Sequence, residues 1–431
     1  MPELWTRRLG SYALALALCA LALPSPAGAS GFSLSGQGIK ALGMGGAFTA
    51  LANDPTAVYY NPGGLGLLDK GKLTAGASGV YLNESQFQGL SPGIGAGTSA
   101  EQEAGLLTPP VHTYAVKKLG DNFKLGAGLY QPFGFETQWA DPAGFSGRTL
   151  TTDSELQVFD VSAVLSWKAT PSFGLGAGAI YRTSKLSTGR RVTALNPSTA
   201  ERVDIGSLAF ETDNEAGIGW TAGFLHRIGT RFSWGISYRS PIEIDYQGSG
   251  TLTQILTGDD QFDDLNALIQ PYGTELPART TLTFPDEAVF GIAFAPSEKL
   301  LVALDVAQTG WSQLEGLAVV YPSNTSFDQT LQGAWDDTLS YRLGLQIGLG
   351  KGMQLRFGYA LEESPQPDAS VAPFFPDGER SLFSLGFGRD WLDIGFQFIS
   401  PEDRTTLTNV DTLNGTYSGN TYILGISATK K

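Results

Sequence analysis

The chemistry open to this chain is narrow. It holds two histidines, His112 and His226, and one cysteine, Cys19. His112 closes a Thr-Pro-Pro-Val-His run and His226 ends an alternating segment; neither stands in a motif with a serine at catalytic spacing. Nucleophilic hydrolysis needs a nucleophile, a base and a group that orients the base, so these residues argue against a membrane lipase. No His-x-x-x-His or paired-cysteine pattern offers a metal site, and the carboxylates are scattered. Gly174-Leu175-Gly176-Ala177-Gly178 imitates a phosphate loop, but it lies inside an alternation instead of between a strand and a helix. The chain therefore reads as a non-enzyme without metal or cofactor. Its remaining resources are arginines, aromatics and glycines, and their placement depends on strands.

Those strands are legible by parity. In Ser340–Leu349, Tyr341, Leu343, Leu345, Ile347 and Leu349 share one parity, while Arg342, Gly344, Gln346 and Gly348 share the other. A period of two sends the first set to one face and the second to the opposite face. The pattern returns over 353–362 and 392–398. Segments of roughly 9–11 residues with an aromatic-rich face and a Gly/Arg/Gln face fit a transmembrane β-barrel, apolar towards lipid and polar towards the lumen. Fourteen such segments follow one another from Lys72–Leu82 to Thr421–Thr429, with 205–228 as one long strand broken near Asp213-Asn214. The predicted fold class is all-β: an antiparallel barrel of about 14 strands whose lumen is plugged by a small N-terminal hatch. Tight turns such as Gly120-Asp121-Asn122 alternate with long segments at 187–204, 250–278 and 311–337, as periplasmic turns and extracellular loops would. The apolar residues of 250–278 either mark a capture site for a greasy ligand or pack on neighbouring loops.

Residues 1–29 read as a cleaved signal peptide: Arg7 and Arg8, an apolar run from Leu9 to Leu23, then Ala27-Gly28-Ala29. Leu18 is too large to precede a lipoprotein cysteine at Cys19, and the arginine pair suggests twin-arginine export only weakly. Residues 30–70 neither alternate nor keep a helical period, and turn signals at Asn53-Asp54-Pro55 and Asn61-Pro62-Gly63-Gly64 suit a plug. The barrel then spans 71–431. Glycine runs at lumen positions (Gly126 and Gly128, Gly174 to Gly178, Gly386 and Gly388) imply that something fills the lumen. A formal charge of −14 excludes a nucleic-acid partner, which needs a basic footprint. The bacterial outer membrane is the compartment that reconciles export, the lack of an apolar run long enough for a membrane helix, and lipid-grade strand faces.

Several short motifs, in order, resemble the FadL/TodX-type outer-membrane long-chain fatty-acid transporter family over essentially the whole mature chain. Gly31-Phe32-Ser33-Leu34 is similar to its mature start. Ala41-Leu42-Gly43-Met44-Gly45-Gly46-Ala47 with Tyr60-Asn61-Pro62-Gly63-Gly64-Leu65 is similar to its hatch, although the family has Asn-Pro-Ala where Gly63 stands. Gln131-Pro132-Phe133-Gly134-Phe135-Glu136-Thr137-Gln138-Trp139 resembles the end of the third strand, and Leu355-Arg356-Phe357-Gly358-Tyr359 also fits.

The resemblance implies passive uptake of hydrophobic molecules, with long-chain fatty acids as the default and aromatic hydrocarbons as the alternative. A general porin or a structural barrel is a further alternative. Ligand would be caught by outer loops, held in a pocket at the plug, and released sideways at a kinked third strand. Phe32 and Leu34 map onto the pocket, and Asn61 and Pro62 onto the hatch turn; Phe32 could equally be a core aromatic anchoring the plug. Gln131, Pro132, Phe133, Gly134 and Phe135 map onto the lateral gate. On residues alone Pro132 reads as a strand end, since it has no N–H for a ladder bond. A fatty carboxylate would seek a lumen cation, and Arg182, Arg239, Arg342 and Arg356 share the lumen parity; lumen acids such as Asp305, Asp393 or Glu362 compete for each. The implied partners are the hydrophobic ligand, outer-membrane lipid and, during biogenesis, the barrel-assembly machinery. A closed barrel exposes no strand edge, which suits a monomer. The final Ala428-Thr429-Lys430-Lys431 departs from the aromatic ending common among such barrels.

Overall fold

The computed structural model describes residues 31–90, 99–101, 105–107, 110–314 and 316–430; the expected signal segment, 1–29, lies outside them. Fourteen strands run antiparallel in chain order. They are β1 (Lys72–Leu90), β2 (Val111–Lys118), β3 (Phe123–Tyr130 resuming as Gly134–Gln138), β4 (Asp153–Thr170) and β5 (Phe173–Asn196). Next come β6 (Glu201–Thr212 and Glu215–Ile228), β7 (Phe232–Arg239 and Ile242–Gln254), β8 (Glu275–Phe284 and Glu287–Ser297) and β9 (Leu300–Thr309). The last are β10 (Thr338–Gly350), β11 (Met353–Glu362), β12 (Arg380–Arg389), β13 (Leu392–Pro401) and β14 (Asn414–Lys430). β14 pairs back onto β1 from Leu73↔Lys430 to Leu90↔Asn414, which closes the barrel and removes both free edges.

Parity decides each face. In β3, Phe123, Leu125 and Leu129 are exposed, whereas Lys124, Gly126, Gly128 and Tyr130 are buried inward. Exposed Val161, Leu165 and Trp167, Phe290 and Phe294, and Phe383, Leu385 and Phe387 continue the band around the wall. An aromatic-rich outer band facing inward polar and small residues is a lipid-spanning wall.

Two of the expected loops are shorter than read. Most of 187–204 is strand, because β5 runs to Asn196 and β6 starts at Glu201; 250–278 is trimmed by β7 reaching Gln254 and β8 starting at Glu275. β1 likewise continues past Leu82 to Leu90. Alternation persists above the membrane because inward residues still find an apolar core: Leu186, Leu208, Phe210, Tyr246, Leu252 and Leu276 join one cluster around Phe32. Within 250–278 the chain forms α4 (Asp260–Ile269), N-capped by Asp259, with Phe262 buried and Leu265, Leu268 and Ile269 exposed.

Residues 31–68 are mostly buried and pack on inward-facing residues of the wall, with three short helices: α1 (Ile39–Leu42), α2 (Ala57–Tyr60) and α3 (Pro62–Gly66). Their polar ends are met by the barrel. Asp305 Oδ2 accepts the Phe48 and Thr49 N–H groups, both at 2.9 Å. Asn61 Nδ2 donates to the Thr49 and Phe224 carbonyls, each at 2.9 Å, while its Oδ1 accepts from Gly63 N. Lys124 Nζ donates to the Gly66 carbonyl at 2.8 Å. Val58, Leu65 and Leu67 pack on Tyr114, Val116, Tyr130 and Val164.

The lumen glycines permit this approach: a Cβ on Gly386 would lie 2.9 Å from Gly43 Cα, and one on Gly126 would lie 2.7 Å from Leu65. Gly63 is equally tight, since a Cβ there would sit 2.5 Å from Phe224 Cα and 2.8 Å from the Gly174 carbonyl oxygen. Both obstacles are backbone, so Gly63→Ala must push α3 off the wall, costing about 1–3 kcal/mol as overpacking does. We expect faster hydrogen exchange over 57–68 and a rise in small-ion conductance through the reconstituted barrel. Unchanged exchange would mean that the wall yields.

Candidate binding site and lateral opening

The third strand is interrupted where it faces the N-terminal segment. β3 pairs with β4 as far as Tyr130↔Asp160 and again from Gly134↔Gln157. Gln131, Pro132 and Phe133 thus oppose only Val158 and Phe159, and the extra residue bulges the strand. Pro132 has no N–H to give. On the other edge, the Val111 N–H is met by the Gln131 side chain at 2.9 Å, so a side chain replaces a ladder acceptor. Among the described residues Gly134–Gln138 pairs with β4 alone. A Cβ on Gly134 would lie 3.0 Å from the Leu156 carbonyl oxygen and 3.3 Å from Leu34 Cδ1, which fits glycine at the bend.

The bulge is engaged by residues 32–37. Ser33 and Phe133 form an antiparallel bridge, with Leu34 N donating to the Pro132 carbonyl at 2.9 Å and Gly134 N to the Phe32 carbonyl at 3.1 Å. Gln37 Nε2 adds a bond to the Gln131 carbonyl and another to the Leu34 carbonyl at 3.2 Å. Phe32 is buried among Trp311 (4.8 Å between ring centroids), Phe133 (5.8 Å), Trp335 (5.8 Å), Phe135 (5.9 Å), Phe375 (6.0 Å) and Phe284 (6.1 Å). Edge-to-face rings at such spacings add to simple area burial.

Two cavities flank this contact. The inner one, about 890 Å³ of empty space, is lined by Leu34, Tyr59, Tyr60, Phe133, Arg182, Arg239, Glu287 and Arg342. The other, about 1180 Å³, is lined by Phe32, Leu34, Val80, Gly134, Phe135 and Phe375 and reaches Tyr417 and Ile423. Ser33, Leu34 and Ser35 line both, so they form the partition.

The four arginines separate in this setting. Arg182 holds Asp160 through two bonds of 2.7 and 2.8 Å, and its guanidinium lies 4.7 Å from the ring centres of both Phe133 and Phe284. Arg239 donates to the Tyr59 carbonyl at 2.9 Å, stacks 3.7 Å from the Tyr59 ring centre, and pairs with Glu287. Arg342 pairs with the other oxygen of Glu287 at 3.3 Å. Arg356 stands apart from both cavities, bonded to Gln346, Gln354 and Asp393 beneath Gly43. Asn61 and Pro62 line neither cavity; they fasten α3 to the wall.

Several residues of the cavities and of the cluster around Phe32 escaped sequence reasoning. Tyr59 directly precedes the hatch motif without being in it, Glu287 stands in none of the motifs, and Trp311 and Trp335 lie in a segment read as outer loop, 311–337. Two tryptophans near its ends were the available signal, since large aromatics tend to be buried.

An outer-loop carboxyl closes the top of the site. Asp377 is buried, accepts from Ser364 Oγ at 3.2 Å, and interacts with the Gly31 main chain. Burial pushes its carboxyl up to about 6 from an ordinary 3.8, against the pull of Arg380, Ser364, Gly31 and Arg404. A raised folded value means the loop is seated most firmly below 3.8 and loosens as the pH climbs through about 6. Hydrogen exchange over 366–377, corrected for intrinsic rates, should be better protected near pH 4.5 than near pH 7.5, with roughly 1.4 kcal/mol at stake per unit of difference. Asp377→Asn should flatten the dependence; a dependence surviving that change would assign it to another group.

The sequence profile of the family described as "Outer membrane protein transport protein (OMPP1/FadL/TodX)" matches residues 20–431. The long-chain fatty acid transport protein of Escherichia coli O157:H7 is 25% identical over 423 residues, covering 89% of this chain and 91% of that protein. Outer membrane protein P1 of Haemophilus influenzae is 24% identical, covering 96% and 97%. Among solved structures, a Pseudomonas aeruginosa FadL homologue superposes with a TM-score of 0.73 at 20% identity, over 93% of this chain and 99% of that one. The Pseudomonas putida toluene transporter TodX gives 0.65 at 18% identity, over 92% and 98%.

Proposed function

The chain belongs to the OMPP1/FadL/TodX family of outer-membrane transporters for hydrophobic compounds, which are channels and not enzymes, and from that premise we propose that its cargo is long-chain fatty acids. The observation that carries this reading is the pair of guanidiniums, Arg239 and Arg342, sharing the single carboxylate of Glu287 in a cavity whose wall also includes Leu34, Tyr59, Tyr60 and Phe133, with Arg182 and Glu362 among its other charged residues. Asp305, across the ladder from Arg342, forms no ion pair with it: its Oδ2 accepts the Phe48 and Thr49 N–H groups and its Oδ1 has no hydrogen-bond partner. An entering carboxylate can join two guanidiniums with charge-assisted bonds, and its chain can lie on the aromatic wall. An aromatic hydrocarbon would draw on the rings of Tyr59, Tyr60 and Phe133 alone and leave the guanidiniums unused.

The route follows from where space is closed. Exposed Leu265, Leu268 and Ile269 of α4 offer a first apolar contact outside. Below the inner cavity, residues 38–69 pack against the wall as a hatch, so straight passage is blocked. The exit is sideways at Gln131–Phe135, once Ser33 to Ser35 move. A greasy ligand released there enters lipid without crossing water.

Purified protein in liposomes would be given labelled long-chain fatty acid and toluene, as wild type and as Pro132→Val/Gly134→Val. Fatty-acid transfer lost in the variant with binding retained supports the reading. Preferred toluene transfer moves the cargo to hydrocarbons, and transfer of neither overturns the proposal.

A further inference from the structure

At one end of the barrel every connection is a tight turn with a cation at it. Lys118, Lys168, Arg231, Lys299, Lys351 and Arg389 stand at the six tight connections from β2–β3 to β12–β13, and all but half-buried Lys168 are exposed. Lys430, at the end of β14, completes the ring where the barrel closes on β1. The acids at this rim are fewer: Asp69, Asp121, Glu298 and Asp390, with Asp121 bonded to Lys118 at 2.8 Å. The opposite rim has the reverse character, with Asp260, Asp264, Asp336, Asp337 and Asp403 exposed in the outer loops. A chain of net charge −14 has thus gathered most of its exposed cations at one end, with Arg202 and Arg279 the exposed exceptions towards the other. Short turns mark the periplasmic end.

The rim meets lipid most openly at the closing seam. Lys430 lies directly opposite Leu73, and Ala428 opposite Ala75, on the outward face. With Trp391, whose carbonyl accepts from Thr429 N at 2.7 Å, they line an open apolar groove of about 1180 Å³ with Lys430 and Asp390 at its polar end. A tryptophan at the interface beside a cation with an apolar run above it matches a phospholipid, chain on the wall and phosphate at the rim.

We propose that the periplasmic rim is a collar for anionic phospholipid headgroups of the inner leaflet, with the β1–β14 seam as its most developed site. Charge complementarity names the occupant. Cations at a membrane surface attract anionic lipid individually, and six turns repeat the attraction around the wall. The collar concerns the lipid boundary and does not depend on which cargo passes through the lumen.

The test uses the full chain in mixed vesicles, reading tryptophan quenching by brominated phosphatidylglycerol against brominated phosphatidylcholine; Trp391→Phe isolates the seam's share. The expected result is about a five-fold preference for phosphatidylglycerol, falling towards unity near 0.5 M salt, where the screening length is only a few ångströms. Lys299→Gln/Lys351→Gln/Arg389→Gln/Lys430→Gln should abolish it. The variant with arginine in place of the three lysines should keep it. Equal quenching in wild type, or a preference untouched by salt, overturns the proposal even if the neutralised variant does not fold. Fatty-acid transfer measured on the same vesicles should be unchanged by the neutralised variant, so a failed collar and a failed cargo assignment give different results.

Discussion

Oxidising a Ser33→Cys/Phe133→Cys variant should cut fatty-acid transfer by about ten-fold or more, roughly the 1.4 kcal/mol that a decade requires, and reduction should restore it. The two residues form an antiparallel bridge flanked by the Leu34–Pro132 and Gly134–Phe32 bonds. That makes them a non-hydrogen-bonded pair, whose Cα atoms lie about 4.5 Å apart with side chains closest. Such a separation falls within the range a disulfide spans without strain. The only native cysteine, Cys19, lies ahead of the described residues, so the new pair would have no competitor within them. Ser33 to Ser35 separate the two cavities, and a covalent link to the bulged strand fixes that partition in place. Ligand binding from outside should persist while release stops. The reduced variant controls for loss of the Phe133 ring. Transfer that ignores the redox state would show that cargo passes without moving the partition.

The second large effect is expected at Arg342. Arg342→Met should weaken fatty-acid binding by about ten- to a hundred-fold while leaving the methyl ester unchanged, because a bond to a charged group is worth about 1.5–3 kcal/mol. This position is the better test of the two cations. Removing it leaves Glu287 paired with Arg239, so no buried charge is stranded, whereas losing Arg239 also removes the contact to Tyr59. Stranding a buried carboxylate would cost about 3–5 kcal/mol and confuse folding with binding. An equal loss for acid and ester would assign Arg342 a structural role, and no loss for either would remove the guanidinium pair as the headgroup site.

Much of the architecture was visible in the residues themselves. Tyr341, Leu343 and Leu345 declare one face of β10, and Arg342 and Gly344 the other, because side-chain direction in a strand alternates with every residue and needs no partner to be read. Even strand number, the alternation of short and long connections, and the small inward residues at Gly126, Gly176 and Gly386 follow from that local rule. The ends of the strands did not. β5 and β6 continue through 187–196 and from Glu201 because Leu186, Leu208 and Phe210 find Phe32's cluster above the membrane, and that core is assembled from distant segments.

The site was legible as a set of residue types and not as an arrangement. The lumen parity of Arg182, Arg239, Arg342 and Arg356 was open to inspection. Which of them reaches the cavity depends on the height at which each strand sits and on the carboxylate across from it: Asp160 for the first, Glu287 for the next two, Asp393 for the last. Pro132 and Gly134 announced a broken strand, yet nothing local says that Ser33, a hundred residues earlier, supplies the pairing that the break leaves open. Local alternation is enough to specify the wall, because it is a property of neighbouring residues. The partition, the cation pair and the basic rim come from the folded barrel, because each is made by residues that chain closure brings together.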